Sequence, residues 1–217
     1  MADKRKKLIT LIIAAMIIAL ASVGGYYWYQ NTYYVSTEDA RVTGDLVSVS
    51  PQISGKLLEL NVEEGDIVVK DQILGRQGLS SLQESNIDQS VFRAPIGGIV
   101  IKKQGTVGEY ISTGQTVAII VDPEKLYISA NIDETKLIKI KEGQLVDITI
   151  DQYSGKSFTG KIKQVGKASN STFALLPSST SGTFTKVIQK IPVKIEFDKN
   201  DVTLLPGTNA IVKIHIK

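Results

Sequence analysis

The chain has 217 residues, a length that allows one or two small domains, and no cysteine, which excludes disulfides, thiolate nucleophiles and thiolate-bound zinc. Its net charge of +3 comes from the first seven residues, where Lys4, Arg5, Lys6 and Lys7 stand against Asp3. The remainder is balanced, which argues against nucleic-acid binding because that requires a basic face.

Leu8 to Val23 carries no charge and is mostly Leu, Ile and Ala. Extended through Tyr29, it reaches about 20 residues, enough to cross about 30 Å of hydrocarbon. Its Leu and Ile residues together favour insertion by on the order of 3 to 4 kcal/mol. With Lys4, Arg5, Lys6 and Lys7 before it and no charge after it until Glu38, the positive-inside rule places the N-terminus in the cytoplasm and the body outside. Tyr26, Tyr27, Trp28 and Tyr29, with Tyr33 and Tyr34 following, suit an aromatic belt at the outer interface. The competing reading is a signal peptide cleaved near Ala19-Leu20-Ala21.

From Val35 onward the hydrophobic pattern has a period near two and predicts a mainly β body. Strands are expected at 46–50, 57–62, 145–150, 158–165, 191–197 and 210–216. Pro206-Gly207 reads as a type II turn. A short helix is expected over Asp133–Lys141, with Asp133 as its N-cap and Gly143 just past its end. His215, the sole histidine, reads as a strand surface residue.

One block occurs twice. Residues 54–72 lie without a gap on residues 97–115, so that Gly55 and Gly98, Gly65 and Gly108, and Gln72 and Gln115 are each 43 apart. Two copies of a small β unit imply one pseudo-symmetric module, because neither half can bury its apolar face alone. The half-motif V-x-x-G-[DE]-x-[VI]-x-x-[GD]-Q resembles the lipoyl/biotinyl fold. In carrier proteins of that fold a lysine at the hairpin between the halves bears the cofactor. Here Asp71 to Ile101 contains no lysine, so no lipoyl or biotinyl cofactor is expected.

The same repeat occurs in membrane fusion proteins, the periplasmic adaptors of the HlyD/EmrA type. Val49-Ser50-Pro51-Gln52-Ile53-Ser54-Gly55 and Phe92-Arg93-Ala94-Pro95-Ile96-Gly97-Gly98-Ile99-Val100 resemble the segments that lead into that family's two half-motifs. Ala130 to Leu137 is similar to the start of its β-barrel. Ser169 to Pro177, followed by Lys186 to Val193, resembles the EmrA branch in particular.

The resemblance implies a non-catalytic, membrane-anchored adaptor for an inner-membrane transporter. The EmrA branch implies a drug:proton antiporter of the major facilitator type, and other branches serve ABC exporters. A third reading is an extracellular binding or sensor module on the same anchor. The expected organisation is a cytoplasmic tail at 1–7, an anchor at 8–29, a linker and first barrel strand at 30–46, a lipoyl-like module at 47–121 and a β-barrel at 122–217. No catalytic, metal or cofactor residue stands out. Phe173, Leu175, Leu176 and Phe184, in a Ser/Thr-rich loop, are the candidate partner contacts, with a barrel-end cap as the alternative.

The chain departs from the family at one place. Most members insert a long helical hairpin between the half-motifs, reaching toward an outer-membrane channel. Here twelve residues, Leu79 to Ser90, make the connection. Six per arm give under two helical turns, too few for a coiled coil. No outer-membrane channel is expected as a partner, and homo-oligomerisation is left open.

Overall fold

The computed structural model describes residues 2–78, 88–173, 187–197 and 202–216. The chain divides into two units. One gathers Val42–Tyr127 and Asp201–Thr208; the other gathers Met1–Arg41, Ile128–Asn200 and Asn209–Lys217.

The first unit carries strands β2 (Leu46–Val49), β3 (Gly55–Leu60), β4 (Ile67–Val68), β5 (Ile73–Gln77), β6 (Val91–Arg93), β7 (Gly98–Lys103), β8 (Tyr110–Ile111) and β9 (Ala118–Val121). They form two four-stranded sheets, ordered β2-β9-β7-β4 and β6-β5-β3-β8. Shifting by 43 residues takes β3 onto β7 and β4 onto β8. The same operation relates the sheets strand by strand, so each sheet contains strands from both halves. The core obeys it as well. Val49 and Phe92, Leu57 and Val100, Val68 and Ile111, and Leu74 and Val117 are equivalent pairs, all buried in one cluster. Each such side chain favours folding by about 1.5–3 kcal/mol on burial, and half of them lie in the other copy.

The turns repeat in atomic detail. Asp66 Oδ2 accepts from the Glu63 N–H at 2.8 Å, and Glu109 Oε2 from the Thr106 N–H at 3.2 Å. Gln72 Oε1 accepts from the Val69 N–H at 2.9 Å, and Gln115 Oε1 from the Ser112 N–H at 3.2 Å. The Gly65 N–H donates to Val100 O and the Gly108 N–H to Leu57 O, both at 2.8 Å. At these glycines φ is +97° and +95°, which disfavours any side chain. The copies differ at one such position, where Asp71 (φ +66°) stands opposite Gly114 (φ +81°). Aspartate tolerates this region better than most residues.

The connection between the halves leaves β5 at Gln77. Its last three residues, Asp88–Ser90, form a single 3-10 turn with Ser90 buried.

The second unit is a closed six-stranded barrel. Its strands are β1 (Tyr34–Thr43), β10 (Tyr127–Asp133), β11 (Leu145–Ile150), β12 (Ser157–Val165), β13 (Lys190–Phe197) and β14 (Asn209–His215). They close in the order β1-β10-β13-β12-β11-β14. Alternate residues point inward, among them Ile128, Ala130, Ile132, Val146, Ile148, Ile150, Val193, Ile195, Val212 and Ile214, all buried. Pro206-Gly207 forms the expected turn, with Gly207 at φ +92° and Thr208 N–H donating to Leu205 O at 3.3 Å. The barrel leaves β1 and β14 paired from Tyr34↔His215 to Arg41↔Asn209.

Two sequence expectations change. The apolar helix α1 runs from Ala2 to Tyr33, and β1 begins at Tyr34. No linker separates them, because the Ile216 N–H donates to Tyr33 O at 3.0 Å and draws the end of the helix onto the barrel wall. The helix expected at 133–141 is a 3-10 helix over Glu134–Lys139. Asp133 does not cap it. Its carboxylate lies 3.5 Å from Lys136 Nζ instead, and the Glu134 N–H is taken by Gln189 O at 2.9 Å. A segment of six residues repays too little for α-helix nucleation.

Candidate membrane and partner interface

Leu11–Tyr33, 23 residues, is long and apolar enough to cross a membrane, its most apolar 18-residue window having a mean hydropathy of 1.9. No residue of that window is buried inside the protein. Leu11, Met16, Ile17, Ile18 and Leu20 are all more than half exposed, with no polar face opposite them. A helix that is apolar all round and unburied by protein requires an apolar solvent. The side chains of Lys4, Arg5, Lys6 and Lys7 lie outside the described residues; their backbone continues the helix.

Tyr26, Tyr27, Trp28 and Tyr29 lie exposed near the end of this helix. One turn on, the aromatic residues change role. Tyr29 stacks on Tyr33 with centroids 4.7 Å apart, and Tyr34 meets the His215 ring edge-on at 4.9 Å. Lys213 Nζ sits 4.0 Å above the Tyr34 ring. His215 Nε2 lies 2.7 Å from Asp147 Oδ2. The sole histidine is therefore a strand residue, at the seam where the helix meets the last barrel strand.

The candidate contact loop begins at a 3-10 turn, Asn170–Phe173. The side chain of Phe173, and Leu175, Leu176 and Phe184, lie outside the described residues. Both ends of the loop are described, and a polar network holds them. Asn170 Nδ2 donates to Asn131 Oδ1 at 2.8 Å, and Asn131 Nδ2 donates to Asp39 Oδ1 at 3.0 Å. Lys190 Nζ donates to Asp39 Oδ2 at 2.6 Å. Ser171 Oγ donates to Gln189 Oε1 at 2.5 Å. Thr37 Oγ1 donates to Asn131 O at 3.1 Å. Strands β1, β10 and β13 thus tie down the two ends of one loop. No sequence signal marks this network, since its members are joined across separations of 92 and 151 residues.

Hydrogen bonds from Lys190 and Asn131 hold the Asp39 carboxyl below its usual pKa. Asp39 in turn raises the Lys190 ammonium above its usual value. The sign follows for each partner. A depressed carboxyl contributes stability at neutral pH and loses it as pH falls below about 4; a raised lysine loses its contribution as pH rises above about 10.4. Stability attributable to the pair should therefore hold between these limits and fade at both ends. Melting followed from pH 7 to pH 3 should show a shallower decline for Asp39→Asn than for the wild type. Equal slopes would remove the pair from the account.

Among the described residues no group of three or more His, Cys, Asp or Glu could hold a metal ion. The features that stand out are an exposed apolar helix, an aromatic seam and a loop whose two described ends are joined by a polar network. A sandwich of two half-motifs and a six-stranded barrel, joined to such a helix, is the architecture expected of a membrane fusion protein. The comparisons agree. Residues 45–123 match the RND MFP, barrel-sandwich hybrid domain, and residues 126–214 the YknX-like beta-barrel domain. A putative efflux system component of Bacillus subtilis, YhbJ, is 37% identical over 214 residues, covering 97% of this chain and 93% of that protein. The multidrug export protein EmrA of Haemophilus influenzae is 31% identical over 158 residues, 70% of this chain but 40% of that longer protein. The solved structure of the periplasmic adaptor protein EmrA shares the fold, with a TM-score of 0.57 at 16% identity, covering 84% of this chain and 98% of that one. The chain belongs to the EmrA-like membrane fusion proteins and lacks their helical hairpin. Its function is that of an efflux adaptor, and adaptors of this type work with inner-membrane transporters.

Proposed function

We propose that this adaptor is anchored by α1 with its N-terminus in the cytoplasm, and that it serves a drug:proton antiporter of the major facilitator type. The observation that carries the reading is the direct passage from the apolar helix at Tyr33 into barrel strand β1 at Tyr34. A barrel attached without a linker must lie at the membrane surface, within reach of a transporter's outer face. The cluster Lys4–Lys7 supports the orientation by the positive-inside rule. The antiporter class is what the resemblance of Ser169 to Pro177 and Lys186 to Val193 to the EmrA branch implies. The short connection between Gln77 and Asp88 supports action at one membrane, without an outer-membrane channel.

In this reading the loop carrying Phe173, Leu175, Leu176 and Phe184 docks on the transporter. The network around Asn131 fixes where the loop leaves the barrel. Truncating a buried aromatic anchor at an interface costs about 2 kcal/mol or more, whereas a water-exposed side chain costs about zero. Phe173→Ala with Leu176→Ala should therefore lower export and co-purification while melting stays unchanged. If the loop only caps the barrel, each truncation would cost on the order of 2–5 kcal/mol of stability, and protein levels would fall with export. A destabilised double mutant whose surviving fraction exports normally would sink the docking role.

A further inference from the structure

Where the helix meets the barrel, the second unit holds a cleft of about 350 Å³. The helix contributes Tyr26, Tyr27, Gln30 and Asn31 to its wall, and the 3-10 helix after β10 contributes Lys136 and Lys139. No carboxylate is among its described lining residues. Lys139 Nζ donates to Asn31 O at 3.4 Å, and Lys136 Nζ lies 3.5 Å from Asp133 Oδ2. These are long contacts, and an ammonium carries three donors, so both lysines keep hydrogen-bonding capacity toward the cleft. Between them Ile138 is 88% exposed, a large aliphatic side chain displayed to the outside.

Depth decides what reaches this cleft. The helix rises 1.5 Å per residue, and about 20 of its residues fill the hydrocarbon core. If Leu11 and its neighbours lie in that core, Tyr26 to Asn31 fall at the level of the headgroups. Whatever fills a cleft at that level enters from the headgroup layer. Two ammonium groups beside tyrosines and amides match a phosphodiester, and Ile138, exposed on the same 3-10 helix outside the cleft lining, is an aliphatic side chain available to the acyl boundary.

We propose that this cleft binds the headgroup of an anionic glycerophospholipid, with Lys136 and Lys139 on the phosphate and Ile138 set among the acyl chains. The bound lipid orients the barrel on the bilayer by fixing its 3-10 helix to the surface. This rests on the reading that α1 spans the membrane, and the test separates the two.

The full-length chain is reconstituted into phosphatidylcholine vesicles containing a minor fraction of phosphatidylglycerol, then extracted in neutral detergent. Retained lipid is counted by native mass spectrometry. Wild type should keep phosphatidylglycerol in preference to phosphatidylcholine, and Lys136→Gln with Lys139→Gln should lower that preference about tenfold. Lys56→Gln with Lys70→Gln, an equal charge change in the other unit, should leave it intact. Soluble glycerol phosphate should not displace the lipid. Equal retention of the two lipids, an equal loss in the control variant, or displacement by glycerol phosphate would each overturn the proposal. Flotation with the vesicles tests the anchor separately. A chain that floats without lipid preference keeps its anchor and loses the cleft site; a chain that does not float has lost both.

Discussion

Replacing Gly98 by alanine should strongly destabilise the sandwich unit. A Cβ at this position would lie 2.1 Å from Val121 O and 2.8 Å from Val121 C, both backbone atoms of the neighbouring strand. Nothing there can rotate away. Strand β7 pairs with β9 through Ile99↔Val121, so relief requires pulling these strands apart. The ladder loses hydrogen bonds and the cluster around Val100 and Ile120 opens. A cost of roughly 3–5 kcal/mol follows, a large share of the 5–15 kcal/mol that holds a typical domain. Gly65→Ala provides the comparison. Its φ is +97°, but nothing lies within 4 Å of the added carbon, so only backbone strain of about 1–2 kcal/mol applies. Urea unfolding of the two variants should rank them in that order. A Gly98→Ala protein as stable as wild type would mean that β7 and β9 lie further apart than described.

Deleting residues 2–33 should release the protein into the soluble fraction, leave its β structure intact and abolish export. The folded units do not depend on α1 for their cores, since its apolar stretch is not buried in protein. The cut must fall before Tyr34. From there to Arg41 the chain pairs with β14, and losing that strand would open the barrel. Circular dichroism and fractionation read the first two outcomes, and substrate accumulation in cells reads the third. Full export by the soluble fragment would refute the anchoring role. A mature protein beginning near Ser22 would show that the segment is a cleaved signal.

The repeat was legible because its information is local. Positive φ at Gly65 and Gly108 demands glycine at a fixed place in each half, and the acid that follows caps its own turn. The starting glycines are different. Gly55 and Gly98 appear in the same alignment, but their reason lies elsewhere: Gly55 sits against Gly78 O as Gly98 sits against Val121 O. No spacing rule states which backbone will approach. Asp71 in the left-handed region was visible only as a [GD] alternation in the motif. The predicted N-cap at Asp133 failed because a nearby lysine and the Gln189 carbonyl took the partners that a longer helix would have used. The Asp39–Asn131–Lys190 network was invisible, since barrel closure alone brings β1, β10 and β13 together. The candidate contacts Phe173, Leu175, Leu176 and Phe184 came from composition, and the fold adds what holds the two ends of their loop.

The central claim is that this chain works as an adaptor beside a transporter in one membrane. The most direct measurement is affinity purification of the full-length chain from detergent-solubilised membranes after crosslinking in cells, with the captured proteins identified by mass spectrometry. The account predicts a transporter of the major facilitator type, captured by wild type and weakened by Phe173→Ala with Leu176→Ala. Capture of an outer-membrane channel through residues 79–90, or of no transporter at all, would contradict it.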